Sequence, residues 1–551
     1  MATTSVRSLA TVIGAIPIDS SRASTGAQAP DLVCRRQDGL KIPPLVVRIH
    51  AAPRLGNCLA CRSIGRRSEH PCSDGVKFDL SGDFIETASP LDMSLAVDVE
   101  YVFPSIVLTR NGAGARETRT GAGTVQRKGD GSLMLRMFAA ERVSFAQALA
   151  ARGNAGELLP DDAYFSMAAI ASNGDEWHAE RITINDTIHG AVDGSDVRAS
   201  LAFMSSRRAP FVPRASHDLE LVVHTSGSIP ANAFENSGTS SSNTQLNVDA
   251  PDGSKVSIFQ REGHVLVKAT NAASAVDPVA LARVLEGLAI ATGAQMTISC
   301  ERTRSSTEET TRLVALPIAE SRKTIWSPFD RSQRASSIVF VGRYARFAYE
   351  TDCPFFDSWL SIVPAWDQGL VAASLPLAVG VERMLRALFS ELMKETLEVR
   401  TAAEAMAKHL ESAPVDDAMK RRGKGAIQQI KGKSPSSALK ALAQEGWFDV
   451  GLEGAWRAVR NPTAHGGTLI AGESQTEVQE GLDNMLRCLH LFYVLLMVSL
   501  KFEGPFVDHS VRGFPDLILP PLRANPEPTP YLAASAESPA APVVSASAPE
   551  A

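Results

Sequence analysis

The sequence predicts an α+β protein of several domains, in which a β-rich or mixed N-terminal region precedes an all-α helical bundle. Three observations support this fold class. The chain has 551 residues, more than one hydrophobic core usually organises. Alternation of apolar and polar residues is frequent in the first half, as in half-buried strands. After about residue 370, apolar residues recur at helical i, i+3, i+4 spacing instead.

Changes of composition along the chain predict six segments. They are a flexible or small Cys-containing segment (1–75), a β-rich domain (76–228), a linker or long loop (229–250), a mixed α/β region (251–368), a helical bundle (369–505) and a disordered Pro/Ala/Ser-rich tail (506–551).

Charge and hydropathy indicate a cytoplasmic protein without a membrane contact. The net charge is −6, so the whole molecule does not attract nucleic acid by bulk charge, and any RNA site must be local. The longest apolar run near the C-terminus, 488–500, is shorter than the roughly 18 to 20 residues that cross a bilayer. The first residues lack the charged and apolar regions of a secretory signal. Seven scattered cysteines favour a reducing compartment.

One group of cysteines near the N-terminus has some resemblance to a zinc site. Cys58 and Cys61 are spaced as Cys-x2-Cys, and Cys72 follows, with Cys34 or His70 as a fourth ligand. A second such pair is missing from the sequence. Unliganded thiols remain the alternative to a structural zinc.

The β-rich segment contains clear alternating patterns. Residues 94–103 alternate around Leu95, Val97 and Val99, and 217–225 alternate around Leu219 and Leu221. The glycines between 110 and 124 are interpreted as hairpin or loop residues between strands, since no helix follows them.

The mixed region should contain strands and one capped helix. Residues 255–270 predict a hairpin that turns at 261–263. Asp277 and Pro278 predict the start of a helix, as N-cap and first helical residue. Further strand candidates lie around 294–303, 311–318 and 336–347.

The bundle is predicted from helix caps and apolar stripes. Ser434 and Pro435 mark one helix start, and Ser474 with Glu477 forms a capping box at another. The first bundle helix carries a stripe of six apolar residues: Leu377, Val381, Met384, Leu385, Leu388 and Leu392.

The sequence "WRAVRNPTAHGG", residues 456–467, has the most specific chemistry. Arg460 and His465 would lie about 140° apart on a continuous helix. Because a proline disfavours the helical conformation of the residue before it, we expect a break at Asn461–Pro462. Such a break lets both side chains reach one phosphate. A guanidinium fork binds phosphate oxygens, and an imidazole titrates near neutral pH.

These residue types suit RNA cleavage that needs no metal or other cofactor. His465 would take the proton of the ribose 2′-OH or protonate the departing 5′-oxygen, and Arg460 would stabilise the charge on the phosphate. Asn461 would orient either partner. Alternatively, Arg460 and His465 only offset the dipole at a helix C-terminus, and the Asn-Pro and Gly-Gly pairs only form a turn.

The Arg460-Asn461-x3-His465 pattern on a compact helical segment resembles the R-x4-6-H motif of HEPN domains, over about 370–505. The layout of a β-rich region before such a bundle is similar to ApeA-like anti-phage proteins. The resemblance implies an RNA-cleaving, toxin-like enzyme in abortive-infection defence. It also implies a homodimer through the bundle, whose two motifs share one cleft, and an unknown trigger that acts on the N-terminal region.

Other side chains are candidates for supporting roles. A basic segment between 420 and 433 would contact RNA phosphates, or would simply form a solvated face. Glu382 on the first bundle helix is a possible contributor to the cleft, or a surface carboxylate. A non-catalytic protein, which uses the bundle for dimerisation or partner recognition, is the alternative function. The basic side chains are Lys420, Arg421, Arg422, Lys424, Lys431 and Lys433.

Overall fold

The structure, a computed structural model, describes eleven stretches of the chain. They are 99–111, 116–141, 159–187, 194–208, 216–236, 241–261, 264–316, 323–351, 353–430, 432–464 and 474–519. The protein is a mixed α+β fold in which a β-rich region precedes a helical region, as the sequence predicts at this level.

Sixteen strands occur in the described residues. They are β1 (Glu100–Asn111), β2 (Arg116–Arg127), β3 (Leu133–Ala139), β4 (Phe165–Ile170), β5 (Glu176–Thr187), β6 (Ser195–Leu201), β7 (Phe203–Arg208), β8 (His217–His224), β9 (Ala233–Asn236), β10 (Ser241–Asp249), β11 (Lys255–Arg261), β12 (His264–Asn271), β13 (Thr297–Arg304), β14 (Glu309–Val314), β15 (Phe506–Val507) and β16 (Asp516–Leu517).

The first six strands close into a barrel. Their order is β4-β1-β2-β3-β6-β5, and an additional pairing of β4 with β5 completes the ring. Every pairing in the ring is antiparallel. Inward side chains alternate with outward ones, so apolar residues fill the interior. Examples are Phe103, Leu108, Met137, Phe165 and Trp177.

Close approach of β2 to β3 explains two glycines that the sequence analysis placed in a turn or loop. Gly121 and Gly123 lie inside β2. A Cβ atom on Gly121 would lie 2.0 Å from the carbonyl oxygen of Phe138, and one on Gly123 would lie 2.3 Å from that of Arg136. The missing side chains therefore allow this side of the barrel to close.

The same sheet continues beyond the barrel through β7-β14-β13-β8-β12-β11-β10-β9. One face of this continuation packs against helices and belongs to the larger hydrophobic core. Leu219, Leu221 and Val223 of β8 point to that face, as their alternation predicts. The intervening Glu220 and Val222 are also buried, so β8 is covered on both faces.

Nine α-helices occur in the described residues. They are α1 (Pro278–Thr292), α2 (Arg334–Thr351), α3 (Phe355–Asp367), α4 (Leu370–Leu388), α5 (Leu397–Ser412), α6 (Asp417–Ile430), α7 (Pro435–Gln444), α8 (Gly451–Ala464) and α9 (Gln475–Ser499).

The predicted helix starts are confirmed. Asp277 accepts a hydrogen bond from the backbone N–H of Val279 (2.9 Å), and Pro278 is the first residue of α1. Ser434 caps α7 in the same way, with Pro435 as its first residue. Ser474 and Glu477 form the expected capping box at α9. Local side-chain chemistry fixes these boundaries.

One core joins the helices to the sheet. The central helix, α9, buries most of its length, and the ring of Phe492 stacks on that of Phe355 in α3 with centroids 4.4 Å apart. The Tyr493 hydroxyl donates to the carbonyl oxygen of Trp326 (2.9 Å). Residues of β8, α1, α4, α8 and α9 all belong to this core.

Helix α9 is long and apolar enough, by length and composition, to cross a membrane. Of its most apolar 18-residue window, 78% is buried inside the fold. Core helices and membrane spans share these properties, so α9 gives only weak support for a membrane span.

Three predicted segments differ from the structure. Residues 336–347, a strand candidate, form the middle of α2, where Phe340, Val341, Tyr344 and Ala348 are buried at helical spacing. Residues 229–250, predicted as a linker or long loop, contain β9 and β10. The predicted tail begins too early, because β15 and β16 form a hairpin within 506–519 and Phe506 is fully buried.

Candidate active site

Helix α8 carries Arg460 at the surface of the helical region. Its inner face packs into the core through Leu452, Trp456 and Val459. The indole N–H of Trp456 donates to the carbonyl oxygen of Ala378 in α4 (3.1 Å). This bond fixes the rotation of α8 against α4 one turn before Arg460.

One turn further along α8, an ion pair joins the same two helices. The Nε of Arg460 donates to the Oε1 of Glu382. Arg460 follows Trp456 by four residues, and Glu382 follows Ala378 by four residues. Each interval is about one helical turn. The two helices therefore run in the same direction where they meet. The sequence analysis named both charged residues, and the structure brings them together.

The aromatic ring of Trp456 completes the surroundings of Arg460. The guanidinium carbon lies 5.9 Å from the ring centroid, within cation–π range. The sequence analysis did not predict this contact. The i, i+4 spacing of Trp456 from Arg460 is the signal that could have indicated this contact.

Arg460 stays accessible to an anion in this arrangement. Its side chain is 39% exposed, whereas that of Glu382 is 17% exposed. A guanidinium has five N–H donors and can contact a carboxylate and a phosphate at the same time. The carboxylate thus holds the cation in one orientation and offsets part of its charge.

The expected helix break at Asn461–Pro462 is wrong. Helix α8 continues through Pro462 to Ala464. The proline lacks the N–H that would bond to the carbonyl of Ala458, but the turns before it are held by core packing. Asn461 is exposed beside Arg460. His465, the next residue after the helix, lies outside the described residues.

The predicted RNA-binding cluster lies on and after α6, which packs against α5. The Nζ of Lys424 contacts Oε1 of Glu411 (2.8 Å), and this contact lowers the pKa of the Glu411 carboxyl. The Nζ of Lys420 donates to the backbone carbonyl of Glu411 (3.0 Å). Two of the predicted phosphate ligands thus already contact one residue of α5.

The other members of the cluster differ in their surroundings. Arg421 and Arg422 are exposed on α6. The backbone N–H of Lys433 donates to the carbonyl of Met393 (2.8 Å), which ties the base of the α5–α6 pair to the residues after α4. Lys431 lies outside the described residues. Among the described residues of this segment, the two arginines are exposed cations.

The cysteine group considered for zinc, Cys34, Cys58, Cys61 and Cys72 with His70, lies outside the described residues. Within the part of the chain that the structure describes, no group of three or more His, Cys, Asp or Glu side chains could hold a metal ion.

A buried polar cluster between the barrel and the sheet was missed by sequence reasoning. Arg127 of the barrel lies near Tyr101 of β1 and near His224 of β8. Burial, together with nearby Arg127 and His264, lowers the pKa of His224 to about 4, so its imidazole is neutral at pH 7. Its Nε2 lies 3.0 Å from the hydroxyl of Ser299. These residues come from distant strands, so no local pattern indicates the cluster.

Comparisons of the chain with protein-family models, with curated proteins and with solved structures find no match.

Proposed function

We propose that the protein is a metal-independent HEPN-type endoribonuclease that acts in the cytoplasm in anti-phage, abortive-infection defence. The observation that carries this proposal is the arrangement around Arg460, whose guanidinium is oriented by Glu382 and Trp456 while 39% of the side chain stays exposed. An oriented, accessible guanidinium is suited to binding a phosphodiester as negative charge builds on its oxygens.

His465 is the proposed proton-transfer group, as the only histidine of the 456–467 motif. Since α8 continues through Pro462, the convergence of His465 with Arg460 on one phosphate is part of the proposal and does not follow from a helix break. It would accept the proton of a ribose 2′-OH or donate one to the departing 5′-oxygen. The 2′-oxygen forms a bond to phosphorus while the bond from phosphorus to the 5′-oxygen breaks. The products are a 2′,3′-cyclic phosphate and a 5′-hydroxyl. Asn461, beside Arg460, would orient the scissile group.

The proposed partners are RNA and a second copy of the chain. Arg421 and Arg422 are accessible cations for RNA phosphates. The support for a homodimer is an apolar stripe on α4, where Val371, Leu375 and Val379 are 46%, 42% and 51% exposed at i, i+4 spacing. Glu382 follows within one turn. A second copy on this stripe would lie beside Arg460, and an unknown trigger would act on the N-terminal region.

A second candidate function is a non-catalytic binding module. The ion pair between Arg460 and Glu382 favours it, because such a pair can simply join two helices. In that case Arg460 needs no phosphate, and the bundle serves only dimerisation or partner recognition.

Expression in bacterial cells separates the two functions. We expect the wild-type chain to arrest growth and degrade RNA, and His465→Ala to do neither. Arg457→Ala is the matched control, because Arg457 lies one turn before Arg460 on α8 and is 55% exposed. This variant should retain toxicity. Equal growth arrest by the wild type and His465→Ala would favour the non-catalytic module.

A further inference from the structure

The sheet has an open face next to the barrel that the proposed cleavage chemistry does not use. On β10, β11 and β12 the residues that face the helices are buried, for example Leu246, Ile258 and Val267. Residues directly opposite each other on paired strands point to the same face of the sheet. The strand register therefore identifies the residues on the face away from the helices. One row there joins Asn247, Ser257 and Lys268. The next row joins Gln245, Phe259 and Leu266.

An aromatic side chain with two cations beside it lies on this open face. Phe259 is only partly buried, and the partly buried Leu266 packs against the hydrophobic core of the barrel. The guanidinium carbon of Arg261 lies 5.7 Å from the Phe259 ring centroid, and the Nζ of Lys268 lies 6.0 Å from it. Adjacent rows on one face are about 7 Å apart along a strand. The two cations therefore flank an apolar row, one on each side.

Lys268 is an exposed cation whose charge is only partly offset by carboxylates. Glu220 is the carboxylate nearest to Lys268, at 3.8 Å. It already pairs with Arg302, and the guanidinium of Arg304 lies 3.4 Å from it. Arg304 also lies 3.8 Å from Glu309. Because Glu220 is shared among Lys268, Arg302 and Arg304, it offsets only part of the charge of Lys268, whose side chain is 46% exposed.

Uncharged polar groups extend the surface toward the sheet edge. The Oδ1 of Asn247 accepts hydrogen bonds from Gln245 and Ser257, both 2.8 Å long. These bonds orient the exposed Asn247 amide so that its NH2 group can donate to a ligand.

We propose that this face, the sheet platform formed by Asn247, Ser257, Phe259, Arg261, Leu266 and Lys268, binds single-stranded RNA. A base stacks on the Phe259 ring, and the phosphates on either side contact Arg261 and Lys268. Stacking on an aromatic ring beside basic side chains is a general mode of single-strand recognition, and it tolerates any base. The platform is separate from Arg460, and its binding needs no cleavage.

Fluorescence anisotropy with a short labelled oligouridylate tests the platform, using full-length protein that carries His465→Ala so that the RNA stays intact. Phe259→Leu keeps an apolar side chain but removes the ring, and we expect it to weaken binding at least about fivefold. Arg261→Ala and Lys268→Ala should each reduce the salt dependence of binding, by about 0.7 in the log–log slope per lost phosphate contact.

Lys255→Ala is the matched control. Lys255 lies on the same strand and face as Phe259 and Arg261, is 73% exposed, and pairs with Asp249 at 2.8 Å. We expect this variant to bind as the parent protein does. Three results would each overturn the platform. The parent protein does not bind oligouridylate, Phe259→Leu binds with unchanged affinity, or Lys255→Ala loses as much affinity as the platform variants do. None of these results concerns cleavage, which the variants of His465 test separately.

Discussion

At the scale of single residues, Arg460 shows how one side chain can be oriented and still stay partly exposed. Glu382 contributes an opposite charge, and Trp456 contributes an aromatic face, both from positions that core packing fixes. Because the ion pair is partly exposed, it adds little to stability, on the order of 1 kcal/mol or less. The ion pair therefore serves mainly to orient the Arg460 side chain.

Gly121 is a residue whose substitution should damage the barrel. An added Cβ would lie 2.0 Å from the carbonyl oxygen of Phe138 and 2.8 Å from its carbonyl carbon, so β2 and β3 would have to separate. We expect Gly121→Ala to lower the free energy of unfolding by about 1 to 3 kcal/mol, the usual cost of overpacking. Urea denaturation measures this loss.

Gly454→Ala is the control for that prediction. Gly454 lies in α8, and a Cβ there would meet no atom within 4 Å. Alanine should stabilise this helix by about 0.5 to 1 kcal/mol, since it restricts the unfolded chain more than glycine does. A Gly121→Ala protein as stable as the wild type would contradict the close approach of β2 and β3.

At the scale of elements, α8 shows why a local rule failed. A proline inside a helix costs about 3 kcal/mol, which predicts an end before Pro462. The burial of Trp456 and Val459 and the indole bond to Ala378 hold the preceding turns, and α8 continues for two residues beyond the proline. Tertiary contacts thus overrode a local signal that the sequence presents clearly.

Helix α4 carries the proposed dimer contact. We expect Val379→Glu to weaken self-association at least tenfold, because it would place a carboxylate in an apolar interface. Val379 is 51% exposed, so the substitution should not disturb folding. Sedimentation equilibrium of the wild type and the variant measures the change.

Val339→Glu on α2 is a matched control, since Val339 is also 51% exposed. Its protein should remain dimeric. A monomeric wild type, or a Val379→Glu protein that dimerises as the wild type does, would contradict the proposed α4 interface.

At the scale of the whole molecule, locally encoded features were predictable from sequence. Caps at Asp277, Ser434 and Ser474 fixed helix starts, because each side chain bonds to its own first turn. The hairpin of β11 and β12 followed from alternation and its turn. Together these features fix the mixed α+β class.

Features that depend on long-range pairing were not predictable. The polar strand β10 pairs with the edge of β11, and β9 pairs in turn with β10, although nothing in their composition indicates this. Residues 336–347 are rich in β-branched and aromatic side chains, yet they pack as a helix against α1, where Gly287 allows close approach to Val341 and Tyr344. In the site, the sequence left open whether Glu382 contributes to the cleft or is a surface carboxylate, and its contact with Arg460 depends on the packing of α4 against α8.

The central claim is that Arg460 and His465 act on one RNA phosphodiester without a metal. The most direct measurement is cleavage of an end-labelled RNA by purified protein in EDTA, with the end groups of the products identified. We predict 2′,3′-cyclic phosphate and 5′-hydroxyl ends at an undiminished rate, and a loss of about 100-fold or more in His465→Ala. Cleavage that EDTA abolishes, or an equal rate in His465→Ala, would contradict the claim.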